Sequence, residues 1–371
     1  MFELEAIDGR ARAGVLRTPH GVVRTPAFMP VATKAVVKTL TPEELRAVGA
    51  PALISNSLHL HLRPGEEVIR ELGGLHSFMG WDGPLFTDSG GFQLVRSGFD
   101  LRIRDGGIRF RSPLTGEVEE LTPERSLEIQ RALGADVAMA LDHCPRYGAP
   151  PEEIASAARR TVEWARRAID AGAGEGELFF GIVQGGLDER LRKECADSLV
   201  SLDLDGYGIG GLSLGEPRER MLEALGWSVS CLPLSKPRYM MGLGSAAELL
   251  DAVSAGVDLF DSAFPTRNAR HWTVMSRSGG YSLRRPDSAR ARAPLDKGCV
   301  CPVCRRFTRA YLHHLAREGE MLGMRLVSIH NLFFVEWLMA EAREAIRARR
   351  FESFRQEFAA GLVESGEGEE E

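Results

Sequence analysis

Short apolar runs, each ending in a polar or glycine-rich motif, constrain the fold of this chain more than any other feature. Six clear runs lead directly into a marked residue, and a seventh, residues 257–261, ends at Asp261. The six marked residues are Asn56, Asp88, Asp142, Gln184, Gly210 and Gly242. Continuous apolar runs are typical of strands that are buried on both faces of a parallel sheet. An eighth strand is expected either at residues 27–31 or around residues 272–275.

Predicted helices separate these runs. Thr41 and Thr122 are each followed by proline, which combines an N-cap residue with a favourable first turn, and residues 151–171 and 188–199 are further predicted helices. Alternating strands and helices form either a (β/α)8 barrel or a doubly wound sheet. We predict an α/β fold of the TIM (β/α)8 barrel type, because its functional side chains come from the ends of many strands. The first strand is not followed by the GxGxxG turn that marks many doubly wound sheets.

Length and composition agree with a single catalytic domain. The chain has 371 residues, of which 44% are hydrophobic, and a barrel with insertions accounts for residues 1–360. The first residues lack the pattern of a signal segment, and no apolar run is long enough to cross a membrane, so we expect a cytoplasmic protein. The acidic segment 361–371 is expected to be disordered.

Arginine is concentrated after Asp261, although the net charge of the chain is −6. Arg267 and Arg270 follow that residue closely, and further arginines and one lysine lie between residues 284 and 309. Such a cluster forms either an ordinary solvated surface or a phosphate-binding face. Its position beside a candidate catalytic strand favours the second interpretation.

Three of the six cysteines, Cys299, Cys301 and Cys304, are spaced closely enough to bind one metal ion. Without a secretion signal, such spacing indicates a metal site rather than disulfides. Tetrahedral zinc needs a fourth ligand, for which we predict His330, with His313 and His314 as rivals. A closed set of protein ligands leaves no position for water, so the zinc is expected to be structural. We place it in an inserted zinc-binding subdomain at about residues 285–335.

Several motifs together resemble one family. They are DSGGFQ at 88–93, LDHCP at 141–145, GIVQGG at 181–186, GGLSLGE at 210–216, MGLG at 241–244, FDSAFPTRNAR at 260–270 and the cysteine–histidine set. From about residue 2 to residue 358, the chain resembles the queuine tRNA-ribosyltransferases, also called tRNA-guanine transglycosylases, of the bacterial type. The motifs are highly specific and occur in the family's order.

The resemblance implies a zinc-bearing barrel that exchanges guanine at the wobble position of tRNAs with a GUN anticodon for a 7-deazaguanine base. In the bacterial type, the incoming base is 7-aminomethyl-7-deazaguanine (preQ1), a precursor of queuosine, and the enzyme is usually a homodimer. Matching positions imply that Asp261 is the nucleophile and Asp88 the acid–base group. They also imply a base pocket of Asp142, Gln184, Gly211, Leu212, Phe92, Ser89 and Gly90, tRNA contacts at Thr266, Arg267 and Arg270, and zinc ligands at Cys299, Cys301, Cys304 and His330.

The chemistry of base exchange independently requires these residue types. Breaking a glycosidic bond creates an oxocarbenium-like transition state, which a carboxylate such as Asp261 can capture as a covalent ribosyl-enzyme. A second carboxylate, Asp88, can manage protons on the leaving and incoming bases. Asp142 can accept hydrogen bonds from a purine edge, and Gln184 with the Gly211 N–H can donate to its carbonyl. The target base must leave its stack to reach such a pocket.

Several positions depart from the family pattern. His143 stands where Glu is usual and Leu214 where Val is usual, and His271-Trp272 replaces Asn-Gly. The loop 95–116 is also unusual. The bulk of Leu214 favours a small incoming base over queuine. The altered loops leave open a related transglycosylase that acts on another nucleic acid.

The pair His59 and His61, after an early strand, supports a different function class. A His-x-His pair begins the metal site of amidohydrolase-type TIM-barrel hydrolases. Those enzymes need further histidines at later strand ends, where this chain has carboxylates, an amide and glycines. A third alternative is a non-catalytic tRNA-binding subunit, which the intact Asp88 and Asp261 oppose. The sequence therefore favours the transglycosylase.

Overall fold

A computed structural model of the chain describes residues 1–96 and 100–366. The strands are β1 (Phe2–Asp8), β2 (Ala11–Thr18), β3 (Gly21–Thr25), β4 (Ala27–Pro30), β5 (Leu53–Asn56), β6 (Leu85–Asp88), β7 (Leu101–Arg104), β8 (Gly107–Arg111), β9 (Val118–Leu121), β10 (Val137–Met139), β11 (Leu178–Val183), β12 (Gly206–Ile209), β13 (Arg238–Met241), β14 (Leu259–Ser262), β15 (Thr273–Val274) and β16 (Tyr281–Ser282). The helices are α1 (Pro42–Val48), α2 (Ser57–Leu62), α3 (Glu66–Glu71), α4 (Gly74–Met79), α5 (Gly91–Arg96), α6 (Pro123–Leu133), α7 (Pro151–Asp170), α8 (Glu189–Val200), α9 (Arg218–Cys231), α10 (Ala246–Ala255), α11 (Phe264–Arg270), α12 (Arg309–Glu318), α13 (Met321–Arg347) and α14 (Phe351–Gly366), with a short 3-10 helix at Pro286–Arg290.

Eight parallel strands form a barrel, in the order β4-β14-β13-β12-β11-β10-β6-β5. A parallel bridge between Val31 and Ile54 brings β4 beside β5 and closes the sheet. The seven strands expected from the apolar runs are all present, and β4 is the eighth. The rival segment contains β15, which pairs with β16 in an antiparallel hairpin. The predicted TIM-type α/β barrel is confirmed.

Side chains that point inward from the strands fill the barrel. Met29, Phe86, Met139, Phe180 and Tyr239 are buried in this inner cluster. The Phe86 ring meets Phe180 and Tyr239 edge-on, with ring centroids 6.1 and 6.3 Å apart. A second apolar cluster lies largely between the strands and the surrounding helices. Because the interior is packed, space for a ligand remains at the carboxyl ends of the strands.

The predicted helix starts are confirmed by their caps. Thr41 and Glu44 form a capping box at α1, and Thr122 caps α6 by accepting from the Arg125 N–H. Helix α8 begins after Asp188, whose carboxylate accepts from the backbone of the first turn. Each cap satisfies backbone N–H groups that have no partner within the helix.

An antiparallel sheet of β1, β2 and β3 lies at the amino end of the barrel. Arg12 in β2 donates to both carboxylate oxygens of Asp258, with N···O distances of 3.0 and 2.9 Å, and to the Lys236 carbonyl. Both charged side chains are fully buried. Burial raises the pKa of Asp258 to about 6, although the Arg12 charge opposes that shift. His20 adds a second link, 2.7 Å from the carboxylate of Asp136.

A second antiparallel sheet, β7-β8-β9, is inserted between β6 and α6. One of its faces is buried through Ile108, Phe110 and Leu121. The turn between β7 and β8 lies on α7, where the Trp164 indole N–H donates to the Asp105 carbonyl at 2.7 Å. The other face of this sheet points to solvent.

Helix α13 joins the metal-binding region to the barrel, because it packs against β4, α1 and α11. Helix α14 extends to Gly366, and residues 367–371 of the predicted acidic tail lie outside the described residues. In the part of the chain that the structure describes, no helix is long and apolar enough to cross a membrane.

Arg12→Ala is expected to lower the free energy of unfolding by about 3–5 kcal/mol, because it leaves the Asp258 carboxylate buried without its charged partner. Arg17→Ala in the same strand removes an exposed ion pair with Glu3 and is expected to cost less than about 1 kcal/mol. Denaturant unfolding at neutral pH measures both values. A similar decrease in the free energy of unfolding in both variants would show that the buried ion pair is no more important for stability than the exposed one.

Candidate active site

A cavity of about 770 Å³ opens at the carboxyl ends of the barrel strands. Most of the predicted site residues line it: Asp88, Ser89, Phe92, Asp142, Gln184, Gly211, Leu212, Asp261 and Arg267. These residues are far apart in the sequence, but a parallel barrel brings the carboxyl ends of all its strands to one rim. The cavity therefore gathers the candidate catalytic carboxylates and the candidate base-reading groups in one place.

Asp261 lies in β14 and is held through one oxygen. The Tyr239 hydroxyl donates to Oδ1 at 2.6 Å, and the Gly242 N–H donates to the same atom at 3.1 Å. Burial raises the pKa of Asp261, and these two hydrogen bonds oppose that shift. No hydrogen bond reaches Oδ2 from the described residues, so this oxygen can serve as a nucleophile.

Asp88, at the end of β6, is held by four donors at distances between 2.7 and 3.2 Å. They are the Asn56 amide, the backbone N–H groups of Ser57 and Gly90, and the Gln93 amide. Burial raises the pKa of Asp88 to about 7; the hydrogen bonds from Ser57, Asn56 and Gly90 oppose the shift, and the negative charge of Asp261 adds to it. A carboxyl group with a pKa near neutrality can both donate and accept a proton during turnover.

Asp142 and Gln184 form a hydrogen-bonded pair in the cavity. The Gln184 Nε2 atom donates to Asp142 Oδ2 at 2.7 Å, and burial raises the pKa of Asp142 to about 6. Two glycines lie against the pair, and a Cβ at Gly210 or Gly211 would lie 2.6 or 2.5 Å from the Gln184 amide and would force it to shift. The buried Gln184 Oε1 has no hydrogen-bond partner among the described residues. Asp142, held by Gln184, therefore offers a carboxylate acceptor at the wall of the cavity.

The loop after β12 has a defined peptide orientation. Glu216 accepts hydrogen bonds from the backbone N–H groups of Ser213 and Leu214, the second at 2.7 Å. The N–H and C=O of a trans peptide point in opposite directions. The Leu212 carbonyl is therefore turned away from Glu216.

No role was assigned from the sequence to four polar residues that hold the site, namely Asn56, Gln93, Arg192 and Tyr239. Arg192 is fully buried and donates to the carbonyls of Gly186 and Gly210 at 2.6 and 3.0 Å, which ties together the two glycine-rich loops. Tyr239 lies inside an apolar strand, where only its hydroxyl distinguishes it from its neighbours. Asn56 is the last residue of β5, and Gln93 ends the DSGGFQ motif, so these two positions did carry a sequence signal.

The three residues predicted to contact tRNA lie in α11, directly after Asp261. Arg267 lines the cavity. Thr266 is buried and donates to the Ala263 carbonyl at 3.2 Å, and Arg270 donates to the Thr266 carbonyl at 2.9 Å. In this structure, Thr266 and Arg270 stabilise α11 and do not line the cavity.

Two of the unusual residues, His143 and Trp272, are buried beside an arginine. His143 is buried, and its Nδ1 atom accepts from Arg160 at 3.0 Å. Burial and the charge of Arg160 lower the pKa of His143 to about 4, so the ring is neutral at neutral pH. Trp272 is also buried, and the Arg284 guanidinium lies 5.7 Å from its ring centroid.

His59 and His61 do not form a metal site. The two ring nitrogens of His61 lie 2.6 Å from a Glu66 oxygen and 2.8 Å from a Glu119 oxygen, and these hydrogen bonds raise the pKa of His61. Within residues 1–96 and 100–366, the candidate metal-binding groups are the cysteine set and a His20, His76 and Asp136 cluster at the amino end of the barrel. The geometry therefore does not support the amidohydrolase alternative.

The cysteine set surrounds His330. The Sγ atoms of Cys299, Cys301 and Cys304 lie 3.8, 3.5 and 3.4 Å from His330 Nδ1. Tetrahedral zinc, with bonds of about 2.3 Å to sulfur and 2.0 Å to nitrogen, separates these atoms by about 3.5 Å. The His330 Nε2–H donates to the Met275 carbonyl at 2.9 Å, which leaves Nδ1 available as a ligand. These four residues therefore form a group that can bind one zinc ion.

The rival histidines face other partners. His313 Nδ1 lies 2.7 Å from the Leu283 carbonyl, and His314 is exposed. Purified protein is expected to contain one metal ion per chain at this site, retained in His313→Ala and lost in His330→Ala. Metal analysis and the midpoint of thermal unfolding measure this, and the midpoint should fall in His330→Ala. Loss of the ion from both variants, or from neither, would contradict the assignment of the fourth ligand.

Comparison with known proteins leads to the same family as the motifs. Residues 8–363 match the family model described as queuine tRNA-ribosyltransferase. The chain is 49% identical over 366 residues to the queuine tRNA-ribosyltransferase of Desulforudis audaxviator, covering 98% of both chains. It is 49% identical over 354 residues to that of Thermotoga neapolitana, covering 95% of this chain and 96% of the relative. The chain belongs to the queuine tRNA-ribosyltransferase family of pentosyltransferases.

Proposed function

We propose that this protein exchanges guanine at the wobble position of tRNAs with a GUN anticodon for preQ1, through a covalent aspartyl-ribosyl intermediate. The observation that carries the proposal is the placement of two partly buried carboxylates, Asp88 and Asp261, in one cavity. Asp142 and Gln184, which can read a purine edge, line the same cavity. Nucleophile, proton carrier and base-reading groups are thus available to one bound nucleotide.

The first half-reaction breaks the bond between the ribose and guanine. Asp261 Oδ2 attacks C1′ of the nucleotide, and the C1′–N9 electron pair leaves with guanine. The protonated form of Asp88, which is well populated at neutral pH because its pKa is about 7, donates a proton to the leaving base. The Asp261 oxygen is then esterified to the ribose.

The second half-reaction reverses these roles. The incoming base gives its N9 proton to the Asp88 carboxylate, and N9 attacks C1′. The bond to Asp261 breaks, which regenerates the free carboxylate. One N-glycosidic bond replaces another of similar kind, so no nucleotide energy is required.

Base recognition uses the cavity pair and the glycine loop. Asp142 accepts from the N–H groups of the base, and the second N–H of Gln184 together with the Gly211 N–H donates to its carbonyl. Phe92 provides a ring on which the base stacks. The Leu212 carbonyl, turned away from Glu216, can accept from an aminomethyl group on the incoming base. This last feature supports preQ1 as the substrate.

The assignment of the metal ion as zinc rests on the donor set of three thiolates and one imidazole. All four positions around such an ion are filled by protein atoms, so zinc would supply folding energy and take no part in base exchange. By resemblance to its family, the enzyme acts as a homodimer. A tRNA substrate is consistent with the cytoplasmic location expected from the sequence.

Incubation with a GUN tRNA and labelled guanine is expected to give label exchange and an RNA–protein adduct that survives a denaturing gel. Asp261→Asn should abolish the adduct and reduce exchange by about 10³-fold or more, because the nucleophile is lost. Asp203→Asn, which changes an exposed carboxylate, is the control and should keep both activities. Activity that needs added metal and no RNA, or an adduct that persists in Asp261→Asn, would refute the mechanism.

Competition between preQ1 and queuine tests the base preference. The parent enzyme should prefer preQ1, because Leu214 lines the cavity and crowds a large substituent. Leu214→Val should shift the ratio of kcat/KM values toward queuine by about 10-fold, which is the usual effect of one methylene in an apolar pocket. Equal kcat/KM values of the parent enzyme for the two bases would contradict the inference that Leu214 favours a small incoming base.

A further inference from the structure

The solvent face of the inserted sheet β7-β8-β9 carries four arginines. Exposed and more buried residues alternate along β7 and β8, and the exposed positions are Arg102, Arg104, Arg109 and Arg111. Arg102 lies directly opposite Arg109 in the antiparallel register. We refer to these four residues as the arginine face. We propose that it binds the sugar-phosphate backbone of the substrate RNA, an inference that rests on the proposed function.

The arginine face is not neutralised by the protein itself. Among the described residues, Arg102, Arg104 and Arg109 form no ion pair within 4.0 Å, although Glu120 stands opposite Arg109 in the register. Arg111 donates to the carbonyl of Gly116. Like charges directly opposite each other in a sheet are destabilising. Arginines on the helices of this chain are commonly paired, as in Arg166–Glu163 and Arg190–Glu194.

The shape of the face suits a phosphate group. A shallow cleft of about 250 Å³ is lined by three of the arginines, by Asp100, and by Leu101, Phe110 and Val118. Two carboxylates, Asp100 and Glu120, are therefore set against four guanidinium groups, which leaves the face positive in a chain of net charge −6. Guanidinium groups bind phosphate oxygens through paired N–H donors. A polyanion is the ligand that this charge pattern complements.

The position of the sheet connects it to the cavity. It is inserted after β6, the strand that ends in Asp88, and follows α5, which carries the cavity residue Phe92. The sheet is held on α7, because Arg160 forms an ion pair with Asp105 at 3.0 Å. Glu119 in β9 binds His61 of α2 from the other side. A basic surface that is fixed to the elements around the cavity can orient RNA whose target base is bound inside.

The test replaces two opposed arginines in the full-length protein. Arg102→Ser/Arg109→Ser should raise KM for a full-length GUN tRNA about 10-fold at physiological salt and should reduce the slope of log KM against log salt by about 1–2. The kcat value and KM for the free base should not change, because neither arginine lines the base cavity. Thermal unfolding should be unchanged or slightly higher, since cross-strand repulsion is removed.

A second double variant controls for the loss of two positive charges. Arg17→Ser/Arg24→Ser removes two exposed arginines from the sheet at the opposite, amino end of the barrel and should leave KM for tRNA unchanged. Unchanged KM and salt slope in the Arg102/Arg109 variant, or equal effects in the two pairs, would overturn this inference. Parental activity is measured in the same assay. Failure of the parent enzyme to exchange base in tRNA would instead overturn the proposed function.

Discussion

Closure of the parallel barrel is the constraint on which the remaining structure depends. Strand β4 pairs with β14 along its length and reaches β5 through the bridge between Val31 and Ile54. Closure brings all the carboxyl ends of the strands to one rim, where side chains from distant parts of the sequence share a cavity. It also gathers the amino ends, which the sheet β1-β2-β3 covers and the buried Arg12–Asp258 pair joins to the barrel. Closure of the barrel therefore forms both the rim that carries the cavity and the opposite end, to which the sheet β1-β2-β3 is attached.

Desolvation at that rim raises the pKa values of the carboxyl groups. Burial raises the pKa of Asp88 to about 7 and that of Asp142 to about 6, and also raises the pKa of Asp261. Buried carboxyl groups cost free energy unless donors compensate them, and here the donors differ. Four donors surround Asp88, whereas those of Asp261 converge on one oxygen. These different environments support the roles proposed above, proton transfer for Asp88 and nucleophilic attack for Asp261.

The two additions to the barrel are anchored on its own helices. His330 lies within α13, which packs against β4, so a metal ion bound there would fasten the cysteine loop to the barrel. The inserted sheet is fastened to α7 through Asp105 and to α2 through Glu119. Both attachments hold a surface segment in a fixed relation to the cavity. In the proposed reaction, a rigid attachment would help to align a large RNA while one of its bases is bound in the cavity.

The sequence by itself determined the alternation of strands and helices, because doubly buried strands need continuous apolar runs and helix starts need capping residues. It also determined the types of chemical group at the strand ends and the spacing of the three cysteines. Only the tertiary structure decided that residues 27–30 form the eighth strand, because pairing with β14 joins segments far apart in the chain. It alone decided that Tyr239 holds Asp261, and that His330 faces the cysteines while His313 faces the Leu283 carbonyl. The direction in which a side chain points depends on residues that are distant in the sequence. A local sequence pattern does not identify those residues.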